Sequence, residues 1–125
     1  EELRKNAEEI MKKLKLPYRI LEMCTADLGD WKARTEDIEV WRPTTKTYGE
    51  VGSLSNCTDY QARSLNIKYR EKEGLSPAGF VHTLNNTAIA TSRAMVAVVE
   101  NCQRPDGSID MPKVLHPYTG FKRIE

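Results

Sequence analysis

Apolar residues recur at spacings of three and four near the start of the chain: Leu3, Ala7, Ile10, Met11 and Leu14. That period predicts an amphipathic helix over residues 3–15, laid on a sheet through one face. Glu8–Lys12 and Glu9–Lys13 form i,i+4 pairs in the favourable order on the solvated face. Pro17 stops the helix. Tyr18 to Cys24 is short and apolar-rich, which predicts a buried strand, and Thr25 to Asp30 is a turn cluster. Asp37-Ile38-Glu39-Val40 alternates, so a strand is expected there. Pro43 ends it, Thr44-Thr45-Lys46 suits a hairpin loop, and Tyr48 to Leu54 is the predicted return strand.

Asp59 to Ala62 breaks the extended pattern and predicts a single helical turn. Leu65, Ile67 and Tyr69 alternate with polar residues, the mark of a half-buried strand. Residues 71–79 hold Gly74, Pro77 and Gly79 and read as a loop, with a further strand over Phe80 to Leu84. The strongest helical stretch is Ala88 to Asn101, with Asn86 or Thr87 as its cap. It is apolar nearly all round from Ala94 to Val99, so burial on most sides is expected. Arg104 to Gly107 turns the chain, and the tail from Ile109, carrying Pro112 and Pro117, should pack irregularly. Short hairpin connections between strands point to an α+β fold: an antiparallel sheet of four to five strands with flanking helices.

Composition narrows the function classes. With 125 residues there is room for one domain. Nineteen Lys+Arg against eighteen Asp+Glu give a net charge of +1, which excludes binding nucleic acid by charge alone. The longest apolar run, Ala94 to Val99, falls far short of the roughly 20 residues that cross a bilayer, so no membrane partner is expected. The first residue is Glu, and the chain is expected to start inside a longer protein. Cys24, Cys57 and Cys102 are widely spaced and form no metal-binding cluster. They read as reduced, mostly buried thiols of a cytoplasmic protein. A catalytic Cys paired with His82 or His116 has no local support.

The common nucleotide, zinc-protease and hydrolase signatures are missing. Two candidates remain. Glu50 and Ser53, in Glu50-Val51-Gly52-Ser53, are hard oxygen ligands suited to Mg²⁺ held against nucleotide phosphates. On a regular strand an offset of three places them on opposite faces. They share one metal only if the strand bulges, which Gly52 permits; otherwise Glu50 is a solvent-facing carboxylate beside a turn serine. The second candidate is Asn85-Asn86-Thr87 with Arg93, read as a strand-to-helix junction whose free N–H groups favour an anionic ligand. Arg93 inside an apolar helix needs a partner, either a core carboxylate or a ligand phosphate.

The ordered set of motifs resembles seryl-tRNA synthetases. The similar stretches are Leu16-Pro17-Tyr18-Arg19, Cys24 to Gly29, Asp37 to Trp41 and Glu50 to Arg63. They continue with His82 to Thr87, Arg93, Val99-Glu100-Asn101, Asp106-Gly107 and Pro112 to Leu115. The resemblance is collinear and spans nearly the whole chain. It implies that residues 1–125 are the C-terminal portion of a class II aminoacyl-tRNA synthetase catalytic domain. It implies activation of serine with ATP to seryl-adenylate, then transfer to tRNA(Ser) and in many members to selenocysteine tRNA. Glu50, Val51, Gly52, Ser53 and Arg93 would bind ATP, with Glu50 and Ser53 holding Mg²⁺ and Arg93, on the third class II motif, as the catalytic residue. Asn85 and Thr87 would contact serine.

Ala88 and Ser92 stand where many bacterial members have glycine, and Gly52 where a larger residue is common. The family's first two motifs, its tRNA-reaching helical arm and most of its homodimer interface would lie upstream of Glu1, so the isolated piece is expected to be inactive. Three rival readings are an inactive synthetase-like paralogue, a relative that charges a carrier protein, and a small non-enzymatic binding module.

Overall fold

The computed structural model describes residues 1–125. Helix α1 (Glu2–Leu14) forms where the helical period predicts it. Lys15 closes it in the left-handed conformation, its N–H donating to Lys12 O at 3.1 Å. Strand β1 (Tyr18–Glu22) then pairs antiparallel with β2 (Arg34–Arg42), which pairs with β3 (Thr47–Thr58) across a Pro43–Lys46 loop. Helix α2 (Tyr60–Leu65) is longer than the predicted single turn. After a small separate ribbon of β4 (Lys68–Tyr69) and β5 (Gly79–Phe80), strand β6 (Thr83–Thr87) completes a four-stranded antiparallel sheet in the order β1-β2-β3-β6. Helix α3 (Thr91–Cys102) follows. The tail holds a ribbon of β7 (Ile109–Asp110) and β8 (Arg123–Ile124), a 3₁₀ turn (Lys113–Leu115) and the short α4 (His116–Thr119).

Helices α1 and α3 lie on the same face of the sheet. Ala7, Met11 and Leu14 of α1 and Ala97 and Val98 of α3 meet Ile38, Val40, Val51 and Leu54 in one core. Met11, Ile38 and Val40 are fully excluded from solvent, and the exclusion of these side chains from water is what holds the layers together. A pair of polar contacts fixes α3 to the β2–β3 hairpin. Arg42 donates to Glu100 at 3.0 Å, and the Asn101 amide donates to Trp41 O at 2.9 Å.

Five sequence expectations fail here for physical reasons. The strand expected to be buried, β1, is an edge strand of half-buried and exposed residues. Asn86 and Thr87 do not cap the helix: both are strand residues of β6, and the helix starts at Thr91. Sheet pairing with β3 outweighs the local capping preference. Burial of α3 is one-sided, because Ala94, Ala97 and Val98 face the core while Met95 is 65% exposed and Val96 and Val99 also see solvent. Leu65, Ile67 and Tyr69 form no half-buried strand: Leu65 ends α2, β4 has two residues, and all three side chains are exposed. The cysteines divide three ways, Cys57 buried, Cys102 half-buried and Cys24 exposed. No helix is long and apolar enough to cross a membrane.

Candidate functional site

The helices cover one face of the sheet, and the opposite face carries the polar residues. Opposed residues of neighbouring antiparallel strands share a face, and successive residues along a strand alternate between faces. In β2 and β3, Asp37 opposes Ser53, Ile38 opposes Gly52, and Glu39 opposes Glu50. Val51 is left without a partner, so β3 bulges by one residue between Glu50 and Gly52. Asp37 and Glu39 lie on one face. The bulge therefore turns both Glu50 and Ser53 to that face, although they are three residues apart. The condition posed from the sequence for a shared ligand is met.

The bulge has a second effect. Val51 O has left the strand ladder and accepts the Ala90 N–H at 2.6 Å. That bond anchors the chain just before α3, and it explains Gly52. A Cβ on Gly52 would lie 2.8 Å from Thr87 O and 3.3 Å from Ala88 O. A side chain there would force apart the backbone joining β6 to α3.

From this anchor the first turn of α3 carries Arg93 to Glu50. Arg93 Nη1 sits 2.8 Å from Glu50 Oε2 and 3.4 Å from the Glu50 carbonyl oxygen. The expectation of a buried arginine is corrected: the Arg93 side chain is 56% exposed and that of Glu50 is 41% exposed. Of the two partners left open for Arg93, the structure shows a carboxylate, but one at the rim of the sheet instead of in the core.

The polar face reads as rows across the sheet. One row runs Arg19–Glu39–Glu50, with Arg19 paired to Glu39 at 2.6 Å and stacked 4.3 Å over the Tyr48 ring. The next runs Leu21–Asp37–Ser53–Thr87. A third runs Thr35–Ser55–Asn85, where the Thr35 and Ser55 hydroxyls meet at 2.9 Å and both residues are buried. Glu50, Ser53, Asn85 and Thr87 therefore share one face, with Arg93 reaching its edge. Val51 and Gly52 lie on the core side and support the others through the backbone. Sequence reasoning passed over Arg19, Asp37 and Glu39. The alternation Asp37-Ile38-Glu39-Val40 marked a strand with a polar face, but only the register shows that this face is the one bearing Ser53.

This face is open. On the helix side, a cavity of about 400 Å³ lies between α3 and the β2–β3 hairpin, and of the predicted residues only Glu50, Val51 and Arg93 line it. Ser53, Asn85 and Thr87 lie on the other face, away from this cavity. No three His, Cys, Asp or Glu side chains converge at metal-holding distance. A cation at Glu50 and Ser53 would take its remaining oxygens from a ligand such as a phosphate chain, as Mg²⁺ bound with nucleotides commonly does.

An antiparallel sheet with helices α1 and α3 on one face and a carboxylate- and hydroxyl-bearing opposite face defines an α+β core. The family profile described as "tRNA synthetase class II core domain (G, H, P, S and T)" matches residues 1–102, and the chain belongs to that family. Within it, the chain is similar to serine–tRNA ligases. It is 57% identical to that of Methanospirillum hungatei and 56% to that of Thermococcus sibiricus, each over 99% of this chain. The solved seryl-tRNA synthetase of Pyrococcus horikoshii complexed with ATP superposes with a TM-score of 0.94 at 53% identity. It covers 98% of this chain and 27% of its own. The cytoplasmic serine–tRNA ligase of Naegleria fowleri in complex with AMP gives 0.89 at 40% identity, covering 99% and 29%. The chain spans 29% and 27% of the length of the two relatives named first.

Proposed function

We propose that this chain is the C-terminal portion of the catalytic domain of a cytoplasmic serine–tRNA ligase. The intact protein activates serine with ATP and transfers it to tRNA(Ser), and to selenocysteine tRNA where one is present. It works as a homodimer. The observation that carries this reading is the β3 bulge, which sets Glu50 and Ser53 on one face, in line with Thr87 and beside Arg93.

In the activation step a serine carboxylate oxygen attacks the α-phosphorus of ATP. The new P–O bond forms as the bond to pyrophosphate breaks, and pyrophosphate leaves. Negative charge gathers on the phosphate oxygens, so fixed positive charge is what the site must supply. Arg93 would meet that charge; its planar guanidinium suits both stacking on a base and phosphate contact. Glu50, paired with Arg93 in this structure, and the Ser53 hydroxyl would hold the nucleotide's Mg²⁺. Mg²⁺, when bound there, polarises the phosphate oxygens and neutralises their charge. Thr87 and Asn85, in adjacent rows opposite Ser53 and Ser55, would present a hydroxyl and an amide to the serine. Positioning does most of the work, because no covalent bond to the protein is needed.

The test is serine-dependent exchange of pyrophosphate into ATP by the intact protein. Exchange should be robust in the wild type and lost in Arg93→Ala with the fold preserved. Normal exchange in that variant would remove Arg93 from the ATP site.

A further inference from the structure

We infer that Asp37 is a positioning residue for Ser53, accepting the proton of its hydroxyl so that a lone pair faces the nucleotide-bound cation. The inference rests on the reading of Glu50 and Ser53 as the cation site. Its origin is an unpaired charge. Asp37 Oδ1 is buried and has no hydrogen-bond partner. The neighbouring carboxylates of β2 are all paired: Glu36 with Arg4 and Arg34, and Glu39 with Arg19. A buried, unpaired carboxylate oxygen is costly and calls for a donor.

The register names the nearest candidate. Asp37 directly opposes Ser53 on the shared face, and side chains opposed in this way have Cβ atoms roughly 4.5–5.5 Å apart. The two side chains are not bonded to each other in this structure, and that separation lets a turn of the Ser53 side chain bring its hydroxyl to donate to the aspartate. The Ser53 hydroxyl takes no part in the bonds that tie Thr35 to Ser55 and Arg19 to Glu39. A hydroxyl that turns a lone pair to a cation must direct its proton away from it, and the cation strengthens that proton as a donor. A carboxylate behind the hydroxyl both receives the proton and fixes the rotamer, as supporting carboxylates do at other metal sites. Asp37 also carries a negative charge toward phosphates that would repel it, which is tolerable when a cation lies between them.

The experiment is titration of Mn²⁺ into the intact protein with a non-hydrolysable ATP analogue, read by the EPR spectrum of the bound ion. Asp37→Ala should weaken Mn²⁺ by about 10–100-fold. Asp37→Asn, which keeps the shape and one acceptor oxygen, should fall between it and the wild type. Ser53→Ala should weaken Mn²⁺ as well, and Asp37→Ala/Ser53→Ala should be no worse than Ser53→Ala alone, because Asp37 acts through that hydroxyl. Melting temperatures without Mn²⁺ should be unchanged or higher in Asp37→Asn, since the lone carboxylate has no partner to lose. Wild-type Mn²⁺ affinity in both Asp37 variants, with Ser53→Ala weakened, overturns the positioning role and leaves the cation site standing. Additive losses in the double variant overturn it too. Unchanged affinity in Ser53→Ala and Glu50→Gln overturns the cation site itself, and the role of Asp37 with it.

Discussion

Arg93 and Glu50 hold each other across the rim of the sheet, Nη1 to Oε2 at 2.8 Å, with both side chains about half exposed. An ion pair this wet contributes little to folding, about 1 kcal/mol at most. Its worth lies in placement: the guanidinium is held at the Glu50 edge of the sheet instead of drifting into solvent. Arg93→Ala should therefore leave the melting temperature almost unchanged while lowering pyrophosphate exchange by about 10²–10³-fold, the usual loss when one charge-stabilising donor is removed. Arg93→Lys keeps the charge without the planar fork and should recover only a small part. Parallel thermal melts and exchange assays separate the two effects. A large drop in stability with exchange intact would make the pair structural.

Gly52 should tolerate no side chain. The Cβ of Gly52→Ala would meet two backbone oxygens, Thr87 O at 2.8 Å and Ala88 O at 3.3 Å, and backbone cannot swing aside as a side-chain tip can. Overpacking of this kind costs about 1–3 kcal/mol. The strain falls on the Ala90 N–H to Val51 O bond, and so on the anchor of α3. Exchange should fall together with stability, even though Gly52 lies on the core side of the sheet. An Ala variant with wild-type melting temperature and wild-type exchange would show that β6 moves freely away from the bulge.

Much of this was legible in the residues. The helical period of Leu3, Ala7, Ile10, Met11 and Leu14 gave α1 nearly to the residue, because burial against a sheet and local propensity agree there. The hairpin from Asp37 to Leu54 was legible for the same reason, through alternation and a Pro43-led loop. The bulge was legible only as a condition: Glu50 and Ser53 needed it, and Gly52 allowed it, but a register shift is set by what packs on both faces. Asn86 and Thr87 misled, since a good capping residue and a good edge-strand residue look alike until the partner strand is known. The exposed side of α3, with Met95 and Val99, misled in the same way. Apolar sequence reports what is fit for burial, and whether a surface is covered depends on chain elsewhere.

The core makes a separate prediction. Met11 is wholly buried between α1 and the sheet, among Ala7, Leu14, Ile38 and Val40. Met11→Ala removes a long side chain at a place where helix and strands cannot close the gap, at a cost of about 2–5 kcal/mol. Met11→Leu, near in volume, should cost less than about 1.5 kcal/mol. Chemical denaturation of the two variants checks the contrast. Equal stability of both would mean that α1 does not seal the core.

Acid should loosen the molecule through carboxylates whose protons are held off by the fold. The Glu100 carboxyl lies below its ordinary value because Arg42 donates to it, with the Thr44 N–H adding a second bond. Hydrogen bonds from Tyr18 and Lys12 lower Glu8, and those from Arg104 and Arg123 lower Asp110. In each case the folded state binds its proton less readily than the unfolded chain does. The stabilisation is complete above the unfolded values, about 4.3 for Glu and 3.9 for Asp. It is lost as the pH falls through the lower, folded values. The denaturation midpoint should therefore be flat through neutral pH down to about 5 and then decline toward pH 3. Glu100→Gln removes one titrating group and loosens α3 from the β2–β3 hairpin, so it should start from a lower midpoint at pH 7 and decline less steeply. A wild-type midpoint that holds constant to pH 3 would show that these pairs do not outlast solvent competition, and that packing alone secures α3.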